Sequence, residues 1–204
     1  MMPIAKRAAA EFLGTLFLVS GGFGSAVFAA TAPTSWLDAK TPANWNVAGA
    51  ALPARPGARD AELAPGGRCA AFARPATSPE DRALRARGWT LVGPYQRFGS
   101  TVVMMATASA DGMCRPNGFQ GFVFVNGVFA GTLSPVVMNA RTDGSIASLN
   151  VSIFNATEIS ADFARYSDQD PLCCPHASTN VLYHVTAKPP LVVPESLTPV
   201  ANAR

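Results

Sequence analysis

The spacing of apolar and polar positions changes several times along the chain, and each change predicts a different element. Residues 12–30 form an apolar run of 19 without a charge, preceded by Lys6 and Arg7. Residues 30–67 show no sustained helical or strand period. They hold Pro33, Pro42, Pro53, Pro56 and Pro65, so they read as a Pro/Ala-rich linker. Trp36, Trp45 and Leu52 are the positions in it suited to docking on a body. At Ser78-Pro79-Glu80-Asp81 a helix start is predicted: a capping serine, a proline at the first helical position, and two acids at the positive end of the dipole. Gly88 suits the left-handed helix end.

Strand patterns follow. Residues 89–92 and 101–107 are rich in β-formers, and 119–125 and 128–133 flank Asn126-Gly127. Asn-Gly between two apolar runs predicts a two-residue type I′ hairpin. Asp143-Gly144 marks another turn. In 146–154, Leu149, Val151 and Ile153 alternate with Ser148, Asn150 and Ser152, the pattern of a half-buried strand. Residues 156–166 suggest a short second helix, and 181–185 a last strand. Met104, Met105, Phe122 and Phe124 are core candidates. Residues 188–204, with Pro189, Pro190, Pro194 and Pro199, read as a disordered tail. The expectation is an α+β fold: a mostly antiparallel sheet with one or two flanking helices, its body at 68–187.

The N-terminal run changes the picture of compartment. Its order, basic then apolar then small, is that of a secretory signal, and Val27-Phe28-Ala29 offers a cleavage site after Ala29. At 1.5 Å per residue the run also spans about 28 Å, close to a bilayer core of about 30 Å. Residues 1–29 are therefore a signal peptide or a signal anchor. Either way the basic end stays inside and the rest is exported, to the periplasm or the extracellular space. The membrane enters only through an uncleaved N-terminal segment. Lys+Arg total 16 against 13 Asp+Glu, and charged residues make up 14% of 204. That balance excludes a disordered polyelectrolyte and gives no footprint for nucleic acid.

Four cysteines, Cys69, Cys114, Cys173 and Cys174, follow the signal. An even count in an oxidising compartment predicts disulfides. Adjacent residues have Cα atoms about 3.8 Å apart, whereas disulfides usually span about 4.4–6.8 Å. The expectation is therefore that Cys69 and Cys114 each pair with one of the vicinal cysteines, in either order. A metal or redox site built on Cys173, Cys174 and His176 is the rival reading, although zinc sites typically use Cys-x2–4-Cys spacing.

No nucleophile elbow, P-loop or zinc-protease motif occurs. His176 and His184 are the two histidines. A hydrolase using His176 with Ser134 or Ser178 can be drawn, but loop serines and a sheet histidine explain these residues more simply. Asp162, Asp168 and Asp170 read as turn and helix residues. The expectation is no enzyme and no cofactor.

Two resemblances add to this. Ala10-Glu11-Phe12-Leu13-Gly14-Thr15 and Gly21-Gly22-Phe23-Gly24-Ser25-Ala26-Val27 resemble the first helix of the bacterial aquaporin Z group. The resemblance covers residues 6–32 and nothing beyond. The family's pore motifs and its other helices are absent, so a water channel is rejected. The body resembles the LppP/LprE family of bacterial envelope lipoproteins over about 69–186. The blocks are Gly88-Trp89-Thr90-Leu91-Val92-Gly93, Asp111-Gly112-Met113-Cys114-Arg115-Pro116, Gly131-Thr132-Leu133-Ser134-Pro135, Met138-Asn139-Ala140-Arg141-Thr142-Asp143-Gly144, Ala164-Arg165-Tyr166 and Asp170-Pro171-Leu172-Cys173-Cys174-Pro175. The resemblance implies an envelope-associated domain with no assigned reaction, meeting a protein, glycan or lipid of the envelope. No lipobox cysteine is present, so lipid anchoring is not carried over. Arg115, Arg141 and Arg165 fall within these blocks and, with His176, are the candidate binding residues. Pairing of the arginines with Asp111, Asp143 or Asp168 is the structural alternative.

Overall fold

A computed structural model describes residues 35–149 and 151–202. The expected signal segment, 1–29, and the aquaporin-like stretch within it lie outside these residues. The chain divides into two compact units at residues 38 and 39. The described part of the first contains one 3-10 turn, Trp36–Asp38. The rest of the description concerns the second unit.

Its one α-helix among the described residues is α1, Pro79–Ala86. Eight residues are too few for a helix to stand alone in water, so its ends and its buried face must hold it. The Ser78 hydroxyl accepts from Asp81 N, and the Asp81 carboxylate accepts from Ser78 N, closing a capping box. The same carboxylate accepts from Thr77 N at 3.0 Å and from Arg74 Nη2 at 2.6 Å. Its side chain is fully buried. Burial by itself would raise the Asp81 pKa. The bonds from Arg74, Thr77 and Ser78, with the charge of Arg74, outweigh it and hold the group well below its ordinary value of 3.8. Gly88, at φ +88°, turns the chain out of the helix. Leu84 anchors α1 in a cluster with Trp89, Met104, Phe122 and Phe124.

All ladders are antiparallel. The first sheet runs β1 (Thr90–Phe98), β2 (Thr101–Ala110), β3 (Pro116–Val125), β4 (Val128–Thr132), with β5 (Met138–Asn139) also on β3. The second runs β6 (Ser152–Asn155), β7 (Glu158–Arg165), β8 (Ala177–Ala187), β9 (Pro190–Ala201). Val125 pairs with Val128, and Asn126 and Gly127 have φ of 51° and 78°, so the expected two-residue hairpin joins β3 and β4. The first sheet buries both faces. Met104 opposes Phe122 on the α1 side, and Val103 opposes Val123 on the other. Inward residues of the second sheet, Ile159, Phe163, Val181 and Tyr183, are also fully buried. The fold is thus predominantly antiparallel β with little helix, and the α+β expectation narrows accordingly.

Four expectations need correcting. The second helix expected at 156–166 is the strand β7. Ile159, Ala161 and Phe163 repeat every second residue and are buried, and β8 supplies the ladder. The tail expected at 188–204 contains β9, paired with β8 from Pro190 to Ala201. Pro190, Pro194 and Pro199 are tolerated because β9 is an edge strand, where a missing N–H need not break a ladder. The linker is docked over 39–67 rather than free. Trp45 Nε1 donates to Thr132 O, Trp89 Nε1 to Pro53 O, and Ala110 N to Asp60 Oδ2. The strand expected at 146–154 shrinks to β6, with Ile146 keeping one bridge to Phe163.

The sheets approach each other at two seams, β4 with β9 and β1 with β6. No ladder crosses either seam. Carboxamides take its place. Asn46 accepts from Thr132 N and donates to Thr132 O and Val192 O, each near 3.0 Å. Gln96 donates to Val151 O at 2.7 Å and accepts from Val151 N at 3.0 Å. A primary amide presents the donor and acceptor of a peptide group and so replaces one.

Asn46→Ala removes the side-chain partner of Thr132 N and Val192 O at the seam. The expected loss is about 3 kcal/mol in urea unfolding with an unchanged m-value, from about 1–3 kcal/mol per orphaned group. An unchanged midpoint would remove the seam argument. Asp81→Asn should cost roughly 3 kcal/mol at neutral pH, the scale for breaking a buried ion pair. The Asp81 pKa is depressed in the folded state, so its contribution is full above about pH 4 and is lost as pH falls toward the folded value. The stability gap between wild type and variant should therefore narrow below pH 4 in acid melting curves.

Candidate binding site

The loop between β2 and β3 is organised by one carboxylate. Asp111 Oδ1 accepts from Met113 N and Arg115 N, and Oδ2 meets the Arg115 guanidinium at 2.6 Å. The Arg115 N–H foremost, then that of Met113 and the guanidinium, hold the Asp111 pKa below its ordinary value. The turn leaves Cys114 at φ 61°, a left-handed angle uncommon outside glycine. It also presents Cys114 to Cys69, and these two form a disulfide with Cα atoms 5.2 Å apart.

This overturns the pairing expected from sequence. Cys69 and Cys114 bridge each other, and Cys173 is bonded to Cys174, with Cα atoms 3.8 Å apart. The reason is tertiary. The docked segment ties Asp60 to Ala110, and Cys69 N donates to Glu62 O, so Cys69 is delivered beside the β2–β3 loop. The vicinal pair is left with each other.

The loop from β7 to β8 is built around Asp170. Its Oδ2 accepts from Ser167 N at 2.8 Å and His176 N at 3.2 Å, and lies 2.6 Å from His176 Nδ1. Chiefly the Ser167 N–H, and with it His176, hold the Asp170 pKa well below its ordinary value. The Tyr166 hydroxyl donates to Leu172 O, closing the loop.

Between these loops and the turn after β5 lies a depression of about 330 Å³. Phe119, Ile146 and Leu149 give it an apolar lining, and Arg115, Arg141 and Tyr166 are polar members; Cys173 and Pro175 also line it. Of the four candidate binding residues, Arg115 and Arg141 meet here. Arg165 does not: its Nε pairs with Asp143 Oδ1 at 3.0 Å, which also accepts from Tyr166 N. His176 turns to Asp170. Arg115 pairs with Asp111, as the structural alternative expected, whereas Arg141 makes no ion pair among the described residues. Arg141 is exposed and sits at φ 63°.

A second depression of about 240 Å³ adjoins the first and shares Pro116 and Leu149 with it. Leu63, Phe72, Val92 and Cys114 also line it, so its surface is almost wholly apolar. Phe72 is largely exposed. Sequence reasoning missed Leu149, Phe119 and Phe72 as site residues. Leu149 was visible only as one member of an alternating run.

Neither Ser134 nor Ser178 is shown hydrogen-bonded to His176, whose Nδ1 meets Asp170. Ser134 is buried and accepts from Val136 N, Ser178 Oγ donates to Asn202, and His184 faces Glu195 at 4.0 Å. No group of three metal-ligating side chains gathers among the described residues. No helix among them is long and apolar enough to cross a membrane.

The bridges generate a prediction. Non-reducing peptide mapping should link the Cys69 peptide to the Cys114 peptide. The bridge spans a sequence separation of 45, and Cys114→Ser should cost up to about 4 kcal/mol. Replacing both Cys173 and Cys174 by Ser should cost far less, because a bond between neighbours closes no loop. A map linking Cys69 to the vicinal pair would reverse the assignment.

Comparison with known proteins gives one family. Residues 96–187 match the family described as LppP/LprE lipoprotein. No curated protein and no solved structure matches the chain. The matched span runs from β1 to the end of β8. It holds the Asp111 loop, Arg141, the Asp170 loop and the vicinal cysteines, and so contains most of the depression rimmed by Arg141. Over residues 96–187 the chain is similar to the LppP/LprE lipoprotein family, a likeness that supports an envelope lipoprotein-type domain.

Proposed function

We propose that this is an exported, non-catalytic binding domain whose ligand is an anionic amphiphile of the cell envelope, with one acidic head and one apolar tail. The observation that carries the reading is the pair of depressions sharing Pro116 and Leu149. One holds a guanidinium, that of Arg141, with no ion pair among the described residues, and the other is apolar. Ligand sites combine an apolar lining with a few placed polar groups in this way. Arg141 supplies the charge for a carboxylate or phosphate head. Leu149 stands at the junction, where head and tail would meet. The Tyr166 ring and the loop closed by Asp170 form the far wall.

Binding of cis-parinaric acid, a fluorescent fatty acid, tests this in the purified protein. Fluorescence should rise on binding. Arg141→Asn removes the charge while keeping a residue that tolerates left-handed φ. It should weaken binding about tenfold, equivalent to about 1.4 kcal/mol. Leu149→Asp should abolish binding, and the methyl ester should bind the wild type no better than the acid binds Arg141→Asn. No fluorescence rise, or equal affinity in wild type and Arg141→Asn, would sink the reading.

A further inference from the structure

A second cationic feature shares Leu63 with the apolar depression but none of the residues that line the depression holding Arg141. Residues 54–90 hold seven of the chain's thirteen arginines, four acids and no lysine. Four of these arginines, Arg55, Arg59, Arg74 and Arg85, line a groove of about 510 Å³. Its walls are the docked segment, the 3-10 turns Ala61–Leu63 and Ala70–Phe72, and the C-terminal end of α1.

One carboxylate, Asp60, shares this lining, and it is already committed. Its Oδ1 accepts from Glu62 N at 2.9 Å and its Oδ2 from Ala110 N at 2.8 Å. The nearby acids are also engaged: Asp81 with Arg74, and Glu62 with Arg68 at 3.3 Å. The groove therefore keeps an excess of positive charge. Arg74 is fixed by the buried Asp81 carboxylate, yet its Nε is buried without a partner. Arg55 donates through Nη1 to Ala58 O, and its Nε is likewise buried and unpartnered. Buried donors without acceptors are uncommon in folded proteins and call for an oxygen-bearing neighbour. Arg59 and Arg85 are exposed and make no ion pair among the described residues. Arg85 is not needed to cap α1, because Arg87 N, Gly88 N and Trp89 N already donate to the carbonyls of its last turn.

We infer that this groove is a separate binding site for a chain of phosphate groups. Guanidinium forks match phosphate oxygens two at a time, which suits arginine and not lysine to the task. Four of them spread along a groove fit a row of repeated anions better than a single head group. Trp89 belongs to the lining too, and the bond from its Nε1 to Pro53 O ties the docked segment to the wall.

The test is calorimetric titration of the purified chain with tripolyphosphate and, separately, with poly(glycerol phosphate), in 50 and 200 mM NaCl. Wild type should bind at least one of them, and higher salt should weaken that binding severalfold. The Arg59→Ala/Arg85→Ala double variant should bind at least tenfold more weakly with an unchanged melting temperature, since neither side chain makes a hydrogen bond or ion pair among the described residues. Arg141→Asn should bind as wild type does, which separates this site from the amphiphile site. Binding of tripolyphosphate alone assigns a condensed phosphate; binding of poly(glycerol phosphate) alone assigns a phosphodiester polymer. Binding of neither, or equal affinity in the double variant, overturns the inference.

Discussion

The Asn46 carboxamide sits where two sheet edges meet without a ladder, and much of the architecture follows from that contact. Thr132 on β4 and Val192 on β9 would otherwise face each other with unmet backbone groups. Asn46 is nearly buried and satisfies both. The geometry demands that residue 131 carry no side chain: a Cβ there would stand 2.4 Å from Asn46 Cγ and 2.7 Å from a Val192 methyl. Gly131 also has φ of 142°, a region that other residues rarely adopt. The Gly-Thr-Leu-Ser-Pro block is thus explained by a contact 86 residues away in sequence, between Asn46 and Thr132. The same contact converts residues 39–67 from a tether into part of the body.

The opposite seam sets the position of the proposed binding surface. Gln96 clamps Val151, two residues beyond Leu149, and Gly93 comes so close to Leu149 that a Cβ would lie 2.9 Å from its Cβ. Leu149 is therefore held from both sides at the junction of the two depressions. In this fold the lining of the proposed ligand site is fixed by seam chemistry rather than by a regular strand. That is why residues 146–149 give up most of the ladder their alternation predicts.

Local signals in the sequence were legible where the determining contacts are local. The capping box at Ser78 and Asp81 involves residues three apart, and the Asn126-Gly127 turn needs only two positive φ angles. Met104, Met105, Phe122 and Phe124 were legible as core because apolar strands have nowhere else to go. The failures are all non-local. Residues 156–166 contain good helix formers, and only the β8 ladder makes them a strand. The prolines of β9 look like breakers until the strand is seen to be an edge. The cysteine pairing followed local geometry, and it failed because the docked segment carries Cys69 to Cys114. Of the site, Arg115 and Arg141 were visible in the sequence blocks. The apolar half was not, because Leu63 and Phe72 come from the segment that read as linker and from the turn after it.

Among the described residues three that are not glycine adopt left-handed backbone angles, and they differ in what explains them. Asn126 is required by the hairpin, and asparagine tolerates the angle through its short polar side chain. Cys114 is held by the Asp111 turn and by its bridge to Cys69, so its strain is offset by covalent and hydrogen-bonded structure. Arg141 has no such bridge, and its turn is closed by the Thr142 hydroxyl, which donates to Asn139 O at 2.7 Å. It is no hairpin residue, makes no ion pair among the described residues, and stands exposed where glycine or asparagine would fit more easily. A long charged side chain in a conformation that costs on the order of 1 kcal/mol is not explained by stability. Its place in the lining of an apolar depression fits the proposed ligand instead: on that reading the charge answers the acidic head of the amphiphile.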